Sequence, residues 1–182
     1  MNKRWNVRML TEGGMMIALG TILSYVKVYS APMGGSVTAG SMIPIILFAV
    51  RWGLFPGLAI GGVYGLLQFI LEPYFYHPMQ LILDYPLAFG LLGLAGIAYY
   101  IKDKDSVFGY LQVFFAVFLG ILGRMISHVL SGVVFFAEYA GDRNPWLYSI
   151  EYNAYYLLPE LIISAIVIFI IWKPLRKTIK EK

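Results

Sequence analysis

Between Arg124 and Asn153 the chain sets a cation, a histidine, hydroxyls and an amide into otherwise apolar sequence. Arg124, His128, Ser131 and Phe135 recur at i, i+4, i+7 and i+11, so they form one stripe of a helix. A polar loop follows, and a second apolar run is entered through Glu151 and Asn153. At a rise of roughly 1.5 Å per residue, His128 lies about 12 Å below a helix end near Phe136. Asn153 lies about 9 Å below a helix start near Leu147. Polar groups sunk from one side into an apolar layer are costly unless they meet a ligand or each other. They read as part of a small-molecule pocket.

Further groups belong to the same reading. Gln80 and Asp84 are spaced i, i+4 and share a helix face, with Tyr85 beside them. Asp84 sits about 9 Å below the same surface, where no basic residue is expected. On the last apolar run Asn153, Tyr156 and Glu160 form one face, and Tyr148, Glu151, Tyr152 and Tyr155 another. A carboxylate near mid-membrane must face protein or water, so turning Glu160 inward brings Asn153 inward with it. Arg124 and Glu160 have similar depths, about 18 and 20 Å, and are expected to form a buried ion pair beneath the pocket floor. Glu72 and His77 fall at a loop end and read as solvated. A carboxylate among aromatics attracts a cation. An amide, a histidine and tyrosine hydroxyls supply donors and acceptors for a polar ring. A flat, cationic, nitrogen-rich ligand fits these groups better than a sugar or an anion.

The elements that must position these groups are membrane helices. Apolar residues make up 59% of the 182 and charged residues only 13%, against about 25% charged in soluble domains. The chain therefore reads as an all-α polytopic membrane protein forming one domain, residues 1–182. Six apolar segments emerge with about 20 residues per span as the yardstick: Arg8–Tyr29, Val37–Val50, Pro56–Leu71, Pro78–Ile101, Val107–Phe136 and Leu147–Trp172. The first is read as a retained helix and not a signal peptide, because no compact apolar region with a small-residue cleavage site precedes it. Cysteine is absent, which excludes disulfides and thiolate metal sites. The net charge of +4 does not point to nucleic acid, because the basic residues cluster between helices and at the ends. With both termini cytoplasmic, the inner side holds Lys3, Arg4, Arg8, Arg51, Lys102, Lys104, Lys173, Arg176, Lys177, Lys180 and Lys182, most of the 14 basic residues. The pocket then opens outward. The outer loop Lys27–Ser36 contains Pro32, Gly34 and Gly35 and cannot continue a helix. It reads as a connection or, with Met33, Gly34 and Gly35, as a lid.

Four stretches carry a resemblance. GGSV (34–37), LILDYPLAF (81–89), SHVLSGVVFF (127–136) and WLYSIEYNAYYLLP (146–159) look like the thiamine-specific substrate-binding component of energy-coupling factor (ECF) transporters, the ThiT family. TEGG in the first helix and the run from Ile43 to Gly53 extend the likeness over the whole chain. The resemblance implies that Asp84 contacts the ligand, with Tyr85 as its aromatic neighbour. It also implies that His128, Tyr148 and Asn153 supply polar contacts around the aminopyrimidine and thiazolium rings. Some members have glutamate at Asp84, tryptophan at Phe136, and another tryptophan near glycines 34–35. The candidate ligand contacts are thus Asp84, Tyr85, His128, Ser131, Phe136, Tyr148, Glu151 and Asn153. The family docks its first helix on a transmembrane coupling subunit through small residues, which implies a docking role for Gly14 and Ala18 in small-xxx-small spacing. Gly20 and Ser24 form a second such pair.

The resulting expectation is a cell-membrane subunit, not an enzyme, that captures thiamine from outside with high affinity. It needs no cofactor or metal of its own. ATP would be used by two partner ATPases, since no Walker A motif is present. An S component for another vitamin and a proton- or metal-coupled carrier using Asp84, His128 and Glu151 are the competing readings. An intramembrane hydrolase using Glu160, Glu151 and His128 would lack HExxH and GxSxG.

Overall fold

Long apolar runs in a membrane must satisfy their backbone internally, and here they do so as helices. The computed structural model describes residues 5–32, 34–103 and 105–180. Its helices are α1 (Val7–Ser24), α2 (Ile43–Trp52), α3 (Leu54–Leu71), α4 (Pro78–Tyr100), α5 (Val107–Phe135) and α6 (Pro145–Lys180). Among the described residues, α3 to α6 are long and apolar enough to cross a membrane. Apolar side chains of these helices, such as Val63, Leu66, Phe114, Leu119, Ile162 and Ile166, point outward. Such a belt suits lipid and would be an aggregation hazard in water.

The first two expected spans differ from the structure, and the first helix ends at Ser24, short of Tyr29. Two short strands form an antiparallel hairpin, β1 (Lys27–Ser30) and β2 (Ser36–Thr38), which pairs Lys27 with Thr38, Tyr29 with Val37 and Ser30 with Ser36. Val37 therefore belongs to a strand and does not open the second span. That span shrinks to the ten residues of α2, eight of them buried. At about 1.5 Å per residue it reaches roughly 15 Å, half of a bilayer core of about 30 Å. It is a core helix enclosed by the others. Hydropathy could not separate it from a span, because burial in protein and burial in lipid select the same residues.

The helices that carry the site are set by close backbone contact. A Cβ on Gly61 of α3 would come within 2.4 Å of the Phe89 carbonyl oxygen of α4, and one on Gly65 within 2.3 Å of that of Tyr85. Only glycine permits this approach, which brings α4 against α3 beside Asp84. Helices α5 and α6 lie along each other. There, a Cβ on Gly132 would come within 2.2 Å of Ser149 Oγ. The core beneath is built from Met42, Ile45, Phe48, Leu92, Val117, Leu157 and Trp172.

One end of the bundle gathers charge. Glu12 of α1 accepts from Arg8 Nε at 3.0 Å and from Trp52 Nε1 at 2.7 Å, and pairs with Arg51 at 2.8 Å. Arg176 of α6 meets Asp105, just before α5, at 2.9 Å. The hairpin lies at the other end, between α1 and α2. Of the basic residues assigned to the inner side, Lys3, Arg4, Lys104 and Lys182 lie outside the described residues.

Candidate functional site

Helix α4 is not regular where Asp84 sits. Residues Leu83–Leu87 form a π-helical turn containing Pro86. Proline has no N–H to give and its ring crowds the preceding turn, so the widened turn accommodates it within the helix. Ser127 of α5 donates to the Leu83 carbonyl oxygen at 2.6 Å, which fastens the irregular turn to its neighbour.

The turn aims Asp84 at three donors. Its Oδ2 accepts from Gln80 Nε2 at 2.7 Å and from Ser131 Oγ at 2.8 Å. Its Oδ1 lies 2.9 Å from His128 Nδ1. Gln80 is fully buried and spends its remaining capacity on the 72–77 loop, accepting from the Tyr76 N–H at 3.0 Å and donating to the Tyr74 carbonyl at 3.1 Å. The carboxylate is thus held rigidly, while its side chain remains 17% accessible.

Asp84 and His128 line a cavity of about 380 Å³, within the range of small-molecule sites. Six elements enclose it: the hairpin tip with Gly34 and Gly35, the end of α3 with Gln68, the loop with Glu72, Pro73 and Tyr74, and then α4, α5 and α6. Aromatic rings form much of the wall. Tyr74 stacks on Phe136 with centroids 6.0 Å apart, and Tyr148 stacks on Tyr152 at 6.4 Å. Asn153 donates to the Ser149 carbonyl at 2.8 Å and accepts from Tyr156 Oη at 2.5 Å. The arrangement can hold a flat cation by one fixed carboxylate, ring faces and a few directional hydrogen bonds.

Of the residues expected from sequence, Asp84, Tyr85, His128, Ser131, Phe136, Tyr148 and Asn153 all line this cavity, as do Gly34 and Gly35. Met33 lies outside the described residues. Tyr85 contributes its ring, but its hydroxyl is committed: it accepts from the Tyr74 N–H at 2.9 Å and donates to the Glu72 carbonyl at 3.0 Å. Glu151 does not join the set. It is exposed and pairs with Arg143, whose guanidinium that hydrogen bond keeps more firmly protonated than usual.

The expected ion pair of Arg124 and Glu160 is also corrected; among the described residues none joins them. The Arg124 guanidinium lies 4.0 Å from the centroid of the Phe89 ring, and its Nε donates to His128 Nε2 at 3.2 Å. Glu160 instead accepts from Thr38, from the backbone N–H and from the hydroxyl, each at 2.6 Å. Equal depth on consecutive helices did not make the two face each other, and the base of the hairpin supplied the nearer donors. Glu72, read as solvated, is half-exposed on the cavity rim and receives Lys27 of the hairpin at 2.6 Å.

Sequence reasoning missed Tyr74, Gln68, Ser149 and the role of Tyr152. Residues from both faces assigned to α6 merge into one wide stripe: Tyr148, Ser149, Tyr152, Asn153 and Tyr156 span about 140° at 100° per residue, and all reach the cavity, while Glu151 and Tyr155 stay exposed. Periodicity held that signal, provided the stripe was allowed to be broad. Tyr74 lies in a loop and left none.

Comparison with known proteins agrees over almost the whole chain. Residues 10–180 match the family model described as thiamine transporter protein. Thiamine transporter ThiT of Bacillus subtilis is 39% identical, covering 100% of this chain and 98% of that protein. Thiamine transporter ThiT of Lacticaseibacillus paracasei is 28% identical, over 87% of this chain and 84% of its own. A solved structure of ThiT from Listeria monocytogenes superimposes with a TM-score of 0.78 and 24% identity, covering 95% and 97% of the two chains. At that identity the likeness speaks for the fold. The extent of the family match, together with the Bacillus relative, shows that this multi-pass membrane chain belongs to the thiamine transporter protein family, a family of transporters and not of enzymes.

Proposed function

We propose that this chain is the high-affinity thiamine-binding subunit of an ECF-type importer, taking thiamine from outside the cell and passing it inward with an ATPase-driven coupling module. The observation that carries the reading is the Asp84 carboxylate, held by three donors in an aromatic-walled cavity. Thiamine joins a cationic thiazolium to an aminopyrimidine, and both demands are met: charge and ring faces for the first, directional hydrogen bonds for the second. The contacts proposed are Asp84, His128, Ser131, Asn153, Tyr148 and Phe136, with Tyr85 shaping the wall and Gly34 and Gly35 covering it.

The outward orientation is supported by the layout of the bundle. Arg8, Arg51 and Arg176 lie at one end, and the cavity with the hairpin lies at the other, which under the positive-inside rule faces out. Docking on a coupling subunit is supported by α1, where Gly14 and Ala18 are exposed on a shared face. Apart from its own stretch of α1 backbone, no described atom comes within 4 Å of a Cβ placed on Gly14.

The test is a titration of the purified, detergent-solubilised protein with thiamine, by tryptophan fluorescence and calorimetry, for wild type and Asp84→Ala. Saturable one-to-one binding at submicromolar concentration, much weakened in the variant, is the expected result. Absence of saturation with thiamine overturns the ligand. Tight binding untouched by the substitution overturns the site.

A further inference from the structure

Arginine can only donate hydrogen bonds, whereas a neutral imidazole has one donor nitrogen and one acceptor nitrogen. Arg124 Nε aims its N–H at His128 Nε2 across 3.2 Å, so Nε2 must be the acceptor. The proton of the ring therefore sits on Nδ1, which faces Asp84 Oδ1 at 2.9 Å. An imidazolium is excluded by the same geometry, because its second N–H would point at the N–H of a guanidinium. We propose that Arg124 is a positioning residue for ligand capture: it holds His128 as the neutral Nδ1–H tautomer, so that Asp84 receives a hydrogen bond from the ring without being neutralised by it. The proposal rests on the reading of the cavity as a thiamine site.

This assignment gives a half-buried cation in a cation-binding cavity a function. Arg124 lines the cavity, yet its charge is turned onto the face of Phe89 and toward the lone pair of His128. It does not contact Asp84, so the carboxylate keeps its charge for the ligand. A direct Arg124–Asp84 pair would have cancelled the feature that attracts a cation.

The charged and titratable groups around His128 are few. Asp84 faces it from α4, Arg124 from its own helix, and Tyr156 from α6, whose ring meets the imidazole edge-on at 6.2 Å. Glu160 of α6 is held by Thr38, and Tyr64 of α3 packs edge-on against Phe89 with centroids 5.0 Å apart. Lys27 of the hairpin is held by Glu72. Without Arg124, Nε2 has a free lone pair and Nδ1 already faces a carboxylate, so nothing in the geometry stops the ring from taking a second proton. The imidazolium would then pair with Asp84, and the site would lose its net negative charge.

Two readouts test this. The chain has two histidines, and His77 caps the start of α4 by accepting from the Met79 N–H. His77→Asn keeps a capping side chain and leaves His128 as the only histidine, so its ring nitrogens can be observed by 15N NMR in detergent without ligand. A protonated Nδ1 and an unprotonated Nε2 at neutral pH are expected; a proton on Nε2, or on both nitrogens, overturns the proposal. The second readout is thiamine affinity against pH. Wild type should stay within about twofold from pH 8 to 5.5, because the Arg124 N–H occupies the lone pair that a second proton needs. Arg124→Met, which has no donor to give, should lose affinity as the pH falls across this range, approaching about tenfold per pH unit as one proton competes with the ligand. Arg124→Lys, which restores a donor to Nε2, should recover the flat profile. A flat profile in Arg124→Met, or the same fall in wild type, overturns the proposal. If Arg124→Met does not fold, the wild-type tautomer decides alone. An Nδ1–H ring in a protein that fails to bind thiamine would sustain the positioning role and remove the ligand reading only.

Discussion

Asp84 illustrates how one side chain becomes a binding group through what surrounds it. Three donors fix both oxygens, yet none of them is a cation, so the carboxylate is oriented without being neutralised. A cation entering the cavity then meets a charge that has already lost its freedom to turn, which lowers the ordering cost of binding. Asp84→Asn separates this charge from the shape of the side chain. Truncating one partner of a buried charged pair costs about 2–5 kcal/mol. Thiamine affinity should therefore fall by about 30-fold or more while the fold is retained, as read by calorimetry beside thermal unfolding. Tyr85→Phe should behave differently, since the hydroxyl bonds only to the Tyr74 and Glu72 backbone. It should loosen the loop between α3 and α4 and raise the dissociation rate, measured by stopped-flow fluorescence, more than it slows association.

The elements contribute through irregularity as much as through regularity. The π-helical turn of α4 directs Asp84 toward α5, and the turn in turn depends on how closely α3 approaches. Gly65→Ala would place a methyl group 2.3 Å from the Tyr85 carbonyl oxygen. Overpacking of this kind costs about 1–3 kcal/mol. The variant should unfold at lower temperature in detergent and bind thiamine more weakly, because the displaced segment carries Asp84. The hairpin is tied to the helices at three places: Lys27 to Glu72, Gly34 O to Tyr152 Oη at 2.6 Å, and Thr38 to Glu160. Its cover over the cavity is therefore set by α3 and α6 together, and not by the strands alone.

At the scale of the whole molecule, two faces divide the work. The end bearing Arg8, Arg51 and Arg176 is opposite the cavity. Because the chain has no cysteine, single cysteines can report sidedness directly. Cysteine at Gly34 should react with an impermeant maleimide added to intact cells, and cysteine at Asp103 only after lysis; the reverse pattern would invert the orientation. The exposed Gly14 face of α1 predicts a separation of functions. Gly14→Leu meets open space in the fold, so thiamine binding should be preserved, while uptake by cells, and copurification of a coupling subunit, should be lost.

Composition by itself determined the solvent of this protein: so few charges among so many apolar residues leave no water-facing surface for a soluble fold. Spacing determined much of the site, because polar residues that recur on one face of a membrane helix must meet each other or a ligand. Asp84, His128, Ser131 and Asn153 were legible for that reason. What only the tertiary structure decided is which partners those groups choose. Arg124 and Glu160 matched in depth and charge, yet Arg124 turned to His128 and Glu160 to Thr38, because facing depends on helix rotation and on a hairpin that depth cannot predict. Glu151 lay one helical step from the cavity stripe and ended in solvent with Arg143. The ten-residue α2 resembled a span because protein and lipid interiors are equally apolar. Helix periodicity reports which side of an element avoids water; the contact that replaces water is settled only when the elements pack.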